Sequence, residues 1–170
     1  ANYLVTYSPE LRVRYTTAER FTNEFIAAVQ SREIERFKGA WRGNDVLLID
    51  DVQFLESKAR TEEEFFHTFN ALYDAGAQLV LTSDRLPRDL AALEDRLRER
   101  FEAGLVTDIR QPDRVVRKAI LRKRAQHDDI ELAEEEVLDA IADRIEGSVR
   151  ELEGALIRVV AYASLTGRPL

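Results

Sequence analysis

"VLLIDDVQFL", residues 46–55, sets four consecutive apolar residues directly before two adjacent aspartates, Asp50 and Asp51. Continuous rather than alternating hydrophobicity predicts a strand covered on both faces, as in a parallel sheet. Ligands of open parallel sheets lie beyond the carboxyl ends of the strands, and the aspartates fall there. Neighbouring residues on an extended chain point in different directions. One carboxylate can therefore hold a hydrated Mg²⁺ while the other faces an attacking water, the arrangement nucleotide hydrolysis requires. A second apolar run, "AQLVLTSD" at 77–84, ends in the same way at Asp84. A lone acid at a strand end reads as a cap for the next helix; two such endings favour a reactive edge.

Outward from this strand the pattern alternates. "RVRYT" (12–16) reads as a short strand, and Thr16 with Glu19 has the spacing of a capping box. Phe21, Phe25, Ala28 and Val29 then recur at helical period. "EIERFKGAW" (33–41) predicts a further short helix and "RGND" (42–45) a turn. Thr61 and Glu64 repeat the capping-box spacing before a helix carrying Phe65, Phe66, Phe69, Leu72 and Tyr73, which should stop near Gly76. "RDLAALEDRLRERF" (88–101) is helical in pattern, and "GLVTDI" (104–109) reads as a last strand. From Pro112 onward the segments are helical only: "DRVVRKAILRKRAQ" (113–126), "AEEEVLDAIADRI" (133–145) and "SVRELEGALIRVVAYAS" (148–164). The expected fold is an α/β unit with a parallel sheet over residues 1–110, then a small all-helical unit over 111–170, divided near "RQPD".

The 170 residues, 45% of them hydrophobic, suffice for a proper core. There is no cysteine, which excludes disulfides, thiolate metal sites and a cysteine nucleophile and fits a reducing cytosol. No apolar run approaches the roughly 20 residues that span a bilayer. A net charge of −7, from 25 basic and 32 acidic residues, argues against broad charge-driven duplex binding while permitting local basic contacts.

A nucleotide site normally carries a phosphate cradle, G-x-x-x-x-G-K-[ST]. None of the seven glycines is followed by Lys and then Ser or Thr. Arg96 and Arg100 in "LEDRLRERF" stand at i, i+4 on one helical face. They are either balanced by Glu94, Asp95 and Glu99 or presented to a phosphoryl group across a subunit interface. Ser148 and Glu151 form a helix cap with Arg150 in the first turn, where a cation opposes the helix dipole unless an anion is held there. Lys58 and Arg60 sit in an exposed-looking loop, and His67 and His127 read as structural or surface residues.

Together "VLLIDDVQFL", "RTEEEFFHTFNALYDAG", "LTSDRLP", "LEDRLRERFEAGL" and "GSVRELEGAL" resemble the AAA+ module of the bacterial chromosomal replication initiators, the DnaA family, through essentially the whole chain. The resemblance implies an AAA+ P-loop NTPase-type parallel sheet, its first P-loop strand missing, followed by a helical lid. It implies that Asp50 is the Walker B metal-associated acid, Asp51 its catalytic neighbour and Asp84 the sensor 1 residue. Arg100 would be the arginine finger, with Arg96 at the same interface, and Arg150 the sensor 2 contact to nucleotide. Ile26, Lys58 and Arg60 would line a channel for single-stranded origin DNA. Implied cofactors are ATP or ADP with Mg²⁺. Implied partners are other initiator protomers in a filament, origin DNA, and a replicative helicase reached through a domain outside these residues. The implied location is cytoplasmic, on the nucleoid.

The departure from the family pattern is the missing glycine loop, expected just upstream of "ANYLVTYSPE", which resembles the end of the helix after the P-loop. The duplex-reading domain expected beyond "LTGRPL" is missing as well. The expectation is an internal fragment that binds ATP weakly and does not hydrolyse it alone. Two alternatives stay open: a nucleotide-free adaptor that uses the same fold to bind initiator molecules, and a helicase-loader relative, which "VRELEGAL" disfavours.

Overall fold

The computed structural model describes residues 2–131 and 135–167. Two compact units, residues 1–108 and 109–170, divide the chain.

Three parallel strands form the sheet of the first unit: β1 (Val13–Thr17), β2 (Val46–Asp50) and β3 (Gln78–Leu81), in that spatial order. Val13 pairs with Val46 and Thr17 with Asp50; on the other side Val46 pairs with Gln78 and Ile49 with Leu81. Val46, Leu47 and Ile49 of the central strand are buried. Consecutive burial means both faces are covered, which is why this strand shows no polar alternation. A short α1 (Asn2–Tyr7) precedes the sheet, and helices α2 (Ala18–Ser31), α3 (Ile34–Arg42) and α4 (Ala59–Asp74) supply the crossovers. Trp41, Phe21, Phe65, Leu47, Ile49, Leu55 and Leu72 are fully buried. Phe21 sits edge-on to Phe37, Trp41 and Phe65 with ring centroids 4.7 to 5.3 Å apart, the geometry that aromatic quadrupoles favour.

Local details differ from expectation in four places. Thr17, not Thr16, caps α2 by accepting the Arg20 N–H at 3.1 Å, while the buried Thr16 hydroxyl lacks a hydrogen-bond partner. Both threonines are in the ladder, Thr16 opposite Ile49 and Thr17 opposite Asp50, but only Thr17 stands immediately before α2, where a side chain reaches the free N–H groups of the first turn. Helix α4 begins two residues before Thr61, which is buried inside it. The expected long helix over 88–101 is a 3-10 turn at Pro87–Asp89 followed by the eight-residue α5 (Asp95–Glu102), with Leu90 and Leu93 buried by the intervening turn. "GLVTDI" is not a strand: Leu105 is 96% exposed and Ile109 92%. Among the described residues no strand pairs with it, and an apolar segment without a ladder or a covering layer has nothing to hold it extended. The expected stop after α4 does occur, at Gly76 with φ +75°, a conformation glycine adopts without a Cβ clash.

The second unit is helical: α6 (Arg114–His127), α7 (Glu136–Arg144) and α8 (Val149–Thr166) close around Leu121, Leu138, Leu152 and Leu156. Asp113 caps α6 through the Val116 N–H at 2.9 Å. Arg114 and Lys118 of α6 bind Asp139 of α7 at 3.2 and 2.6 Å, and Arg114 also binds Asp143. Ala133 and Glu134, where the middle helix was expected to start, lie outside the described residues, as does the end of "LTGRPL".

At the amino edge of the sheet, Asp45 accepts the Arg12 backbone N–H at 2.8 Å and two guanidinium hydrogen bonds at 2.9 and 3.0 Å. These bonds from Arg12 hold the Asp45 carboxyl down at about 2. A depressed carboxylate adds stability above its unfolded value of about 3.9 and loses it as pH falls through the folded value. Asp45→Asn should therefore flatten the acid limb of stability between about pH 4 and pH 2. Denaturant melts of both proteins at stepped pH measure this, and coincident limbs would remove the clamp from the account.

Candidate functional site

Pairing on both sides keeps β2 apolar until it leaves the sheet, so its first charge is Asp50. Tyr15 of β1 donates its hydroxyl to Asp50 Oδ2 at 2.9 Å, and Thr82, just after β3, donates its hydroxyl to Oδ1. The Thr82 oxygen also accepts the Asp51 N–H at 3.1 Å. One threonine thus links the two aspartates. Its own backbone is fixed by the ladder, with Thr82 N–H to Ile49 O at 3.0 Å and Val52 N–H to Thr82 O at 2.9 Å.

Asp51 adopts φ 60° and ψ 52°, a left-handed conformation that aspartate tolerates better than most residues. The turn breaks the strand between the paired acids, and Asp51 Oδ1 accepts from Gln53 Nε2 at 3.0 Å. Asp50 raises the Tyr15 phenol above its ordinary value, mainly by accepting its proton and also through its charge. Sequence reasoning assigned no role to Tyr15 or Thr82. Their only sequence signal is position on the strands that flank β2, Tyr15 in the middle of β1 and Thr82 just beyond β3.

Asp84 lies two residues beyond Thr82, and its carboxylate pairs with Arg85 at 2.9 and 3.2 Å, which lowers its pKa. Arg85 also approaches Glu56 at 3.6 Å. Arg96 and Arg100 are both exposed on α5, as their spacing suggested, yet they differ. Arg96 is tied to Glu94 at 2.6 Å and lies 4.6 Å from the centre of the Phe66 ring. Arg100 forms no ion pair among the described residues and stands 6.0 Å from the Tyr73 ring, near the outer reach of a cation–π contact.

Helix α2 packs against the 3-10 turn at Val52–Leu55, so Ile26 and the Lys58–Arg60 segment belong to neighbouring elements. Ile26 is 46% exposed beside exposed Val29, Phe54 is 51% exposed, and Arg60 is exposed and forms no ion pair among the described residues. Lys58 Nζ donates to Phe54 O at 2.6 Å. Arg150 occupies the first turn of α8, which Ser148 caps through the Glu151 N–H at 3.2 Å. It belongs to the second unit.

Among the described residues no three His, Cys, Asp or Glu side chains group to hold a metal unaided. The oxygen donors at Asp50 suit a hard cation that keeps most of its water and shares a ligand's phosphates, which is how Mg²⁺ binds.

A parallel sheet with crossover helices, acids at the carboxyl edge of its central strand and a helical unit following it defines an AAA+ module. The family described as the bacterial DnaA ATPase domain matches residues 1–108. The chromosomal replication initiator protein DnaA of Corynebacterium aurimucosum is 53% identical over 169 residues, 99% of this chain and 31% of that protein. Domain III of the Thermotoga maritima replication initiation protein DnaA superposes with a TM-score of 0.94 at 42% identity, over 99% of this chain and 70% of that one. A replication initiator DnaA bound to AMPPCP and single-stranded DNA matches with a TM-score of 0.84 at 34% identity, over 98% of this chain and 49% of that one. The chain belongs to the bacterial DnaA family, and it spans about a third of the length of the curated relative.

Replacing Asp50 with Asn removes the charge that opposes phenolate formation. Asp50→Asn should bring the Tyr15 titration back down toward about 10, read as tyrosinate absorbance against pH with Tyr15→Phe assigning the transition. A titration that does not move would rule out the Tyr15–Asp50 bond.

Proposed function

We propose that the chain is the nucleotide-switched core of a chromosomal replication initiator. Such a core binds ATP with Mg²⁺, assembles with other protomers on the replication origin and opens the duplex, and hydrolysis turns it off. The observation that carries this reading is Asp50 held at the carboxyl edge of the central strand by Tyr15 and Thr82. A metal-associated carboxylate needs a fixed position, and a hydroxyl donor on each oxygen holds Asp50 in place. Support for the ligands comes from the related initiator bound to AMPPCP and single-stranded DNA.

In this reading Asp50 holds Mg²⁺ through its water shell, and Asp51 polarises the attacking water. Asp84 senses the terminal phosphate once Arg85 yields it. Arg100 reaches the nucleotide of an adjacent protomer, where a cation stabilises charge on the transferring phosphoryl group, and Arg96 steadies the same interface. Arg150 contacts nucleotide from the helical unit, as a lid. Ile26, Lys58 and Arg60 guide a single strand, by stacking against apolar surface and by phosphate contact. The site of action is the cytoplasm, on the nucleoid, with the replicative helicase recruited through another part of the protein. The whole comprises a base unit over 1–110 and a lid over 111–170.

Backbone N–H groups of a glycine loop hold nucleotide phosphates, and G-x-x-x-x-G-K-[ST] is not in these 170 residues. Titration calorimetry with Mg²⁺–ATP should therefore show weak binding at most by this chain and micromolar or tighter binding once a phosphate loop precedes it. Binding by neither would replace this reading with the nucleotide-free adaptor.

The two arginines of α5 separate in a second experiment. In the full-length initiator, Arg100→Ala should leave ATP affinity within about twofold and reduce ATP-dependent assembly by a hundredfold or more, the scale of a lost arginine finger. Sedimentation with and without ATP measures this, and assembly at wild-type level would sink the assignment.

A further inference from the structure

Glu62 is 2% exposed, an uncommon place for a carboxylate. Each of its oxygens accepts a backbone N–H. Oε1 takes that of Lys58 at 3.1 Å, at the residue immediately before α4, and Oε2 takes that of Glu94 at 2.7 Å, immediately before α5. Both donors stand at helix N-termini, whose unsatisfied N–H groups and positive dipole ends favour an anion. Neither Lys58 nor Glu94 caps its helix with its own side chain. One buried carboxylate therefore caps two helices that start 36 residues apart, at Ala59 and Asp95.

The same two segments meet again beside it. Ala92 donates its N–H to Glu56 Oε1 at 3.2 Å and accepts the Ser57 N–H at 3.5 Å. Glu56 also approaches Arg85, which holds Asp84. Ser57 carries φ +62°, a strained conformation for serine that persists only where surrounding bonds determine it.

We propose that Glu62 is a positioning residue that makes the Lys58–Arg60 segment, which the structure places at the start of α4 and not in a loop, and helix α5 one mechanical unit. A single strand held on Lys58 and Arg60 then sets the position of Arg96 and Arg100. The functional half of this inference rests on the strand-binding and interface roles proposed above; the mechanical half does not.

The test is amide hydrogen exchange on the 170-residue chain, with and without a fluorescein-labelled oligothymidylate. Glu62→Gln turns one acceptor into an NH₂ donor that opposes a backbone N–H. Exchange at the Lys58 and Glu94 amides should quicken together by about tenfold or more, the factor that loss of one charge-assisted hydrogen bond allows. Amides of β2 should keep their rates. A change at one amide only, or at neither, overturns the proposal.

Glu94→Pro is the second variant, for the case in which Glu62→Gln unfolds. The φ of Glu94 is −55°, a value proline adopts, and proline lacks the donor. This variant should free α5 while Lys58 stays protected, and loss of protection at both would overturn the shared cap. In the unsubstituted chain the oligonucleotide should slow exchange in both 56–62 and 94–98. In Glu94→Pro it should bind with affinity within about threefold and slow only 56–62. Protection of α5 that survives Glu94→Pro would overturn the coupling. An oligonucleotide that binds no version would overturn the strand-binding role, while the amide rates of the free variants still decide whether Glu62 joins the two segments.

Discussion

A strand paired on both sides and buried on both faces has no place for a charge until it leaves the sheet. That constraint on β2 governs the rest of the first unit. Val46, Leu47 and Ile49 are enclosed, so the first charged residue, Asp50, stands at the rim. The flanking strands deliver Tyr15, from the middle of β1, and Thr82, just past β3, to its two oxygens. Hydroxyl donors on both oxygens fix this half-buried carboxylate in place at the rim. The left-handed turn at Asp51 follows from the same linkage, because Thr82 takes the Asp51 N–H that would otherwise extend the strand.

The features legible in the sequence were those set by burial. The run "VLLI" announced a central strand because hydrophobicity on both faces is a local property of the residues themselves. Helices with an apolar stripe, such as α2, α4 and α8, were legible for the same reason. Features set by a distant partner were not. Thr16 and Thr17 are chemically equivalent as caps, and only the point at which the chain leaves the sheet for α2 decides between them. "GLVTDI" has the composition of a strand, but a strand exists only where another offers it a ladder, and here none among the described residues does. Nothing local marks Thr82, since its role comes from Asp50 and Asp51, 32 and 31 residues away.

The two arginines of α5 illustrate the limit at the level of one helix turn. Spacing of four put Arg96 and Arg100 on the same face, and both are exposed. Spacing says nothing of the bond from Arg96 to Glu94, which sits before the helix, or of the aromatic surface that α4 provides through Phe66 and Tyr73. A guanidinium tied to a carboxylate offers a phosphate little until that bond is broken, whereas Arg100 is available at once. The geometry therefore ranks two residues that the sequence could only group.

The same reasoning bears on how a chain with net charge −7 can hold a polyanion. Most of its cations are neutralised at short range: Arg12 by Asp45, Arg14 and Arg20 by Glu24, Arg42 by Glu64, and Arg114 and Lys118 by Asp139. Screening in physiological salt confines the remaining field to about 8 Å. What a phosphate meets is then the nearest uncompensated cation rather than the average of the whole surface. Among the described residues Lys58, Arg60 and Arg100 form no ion pair, and Lys58 and Arg60 stand where the chain leaves the central strand for α4. The excess acid elsewhere opposes non-specific adsorption and leaves those local contacts intact. Net charge thus limits where a nucleic acid can bind and does not forbid binding.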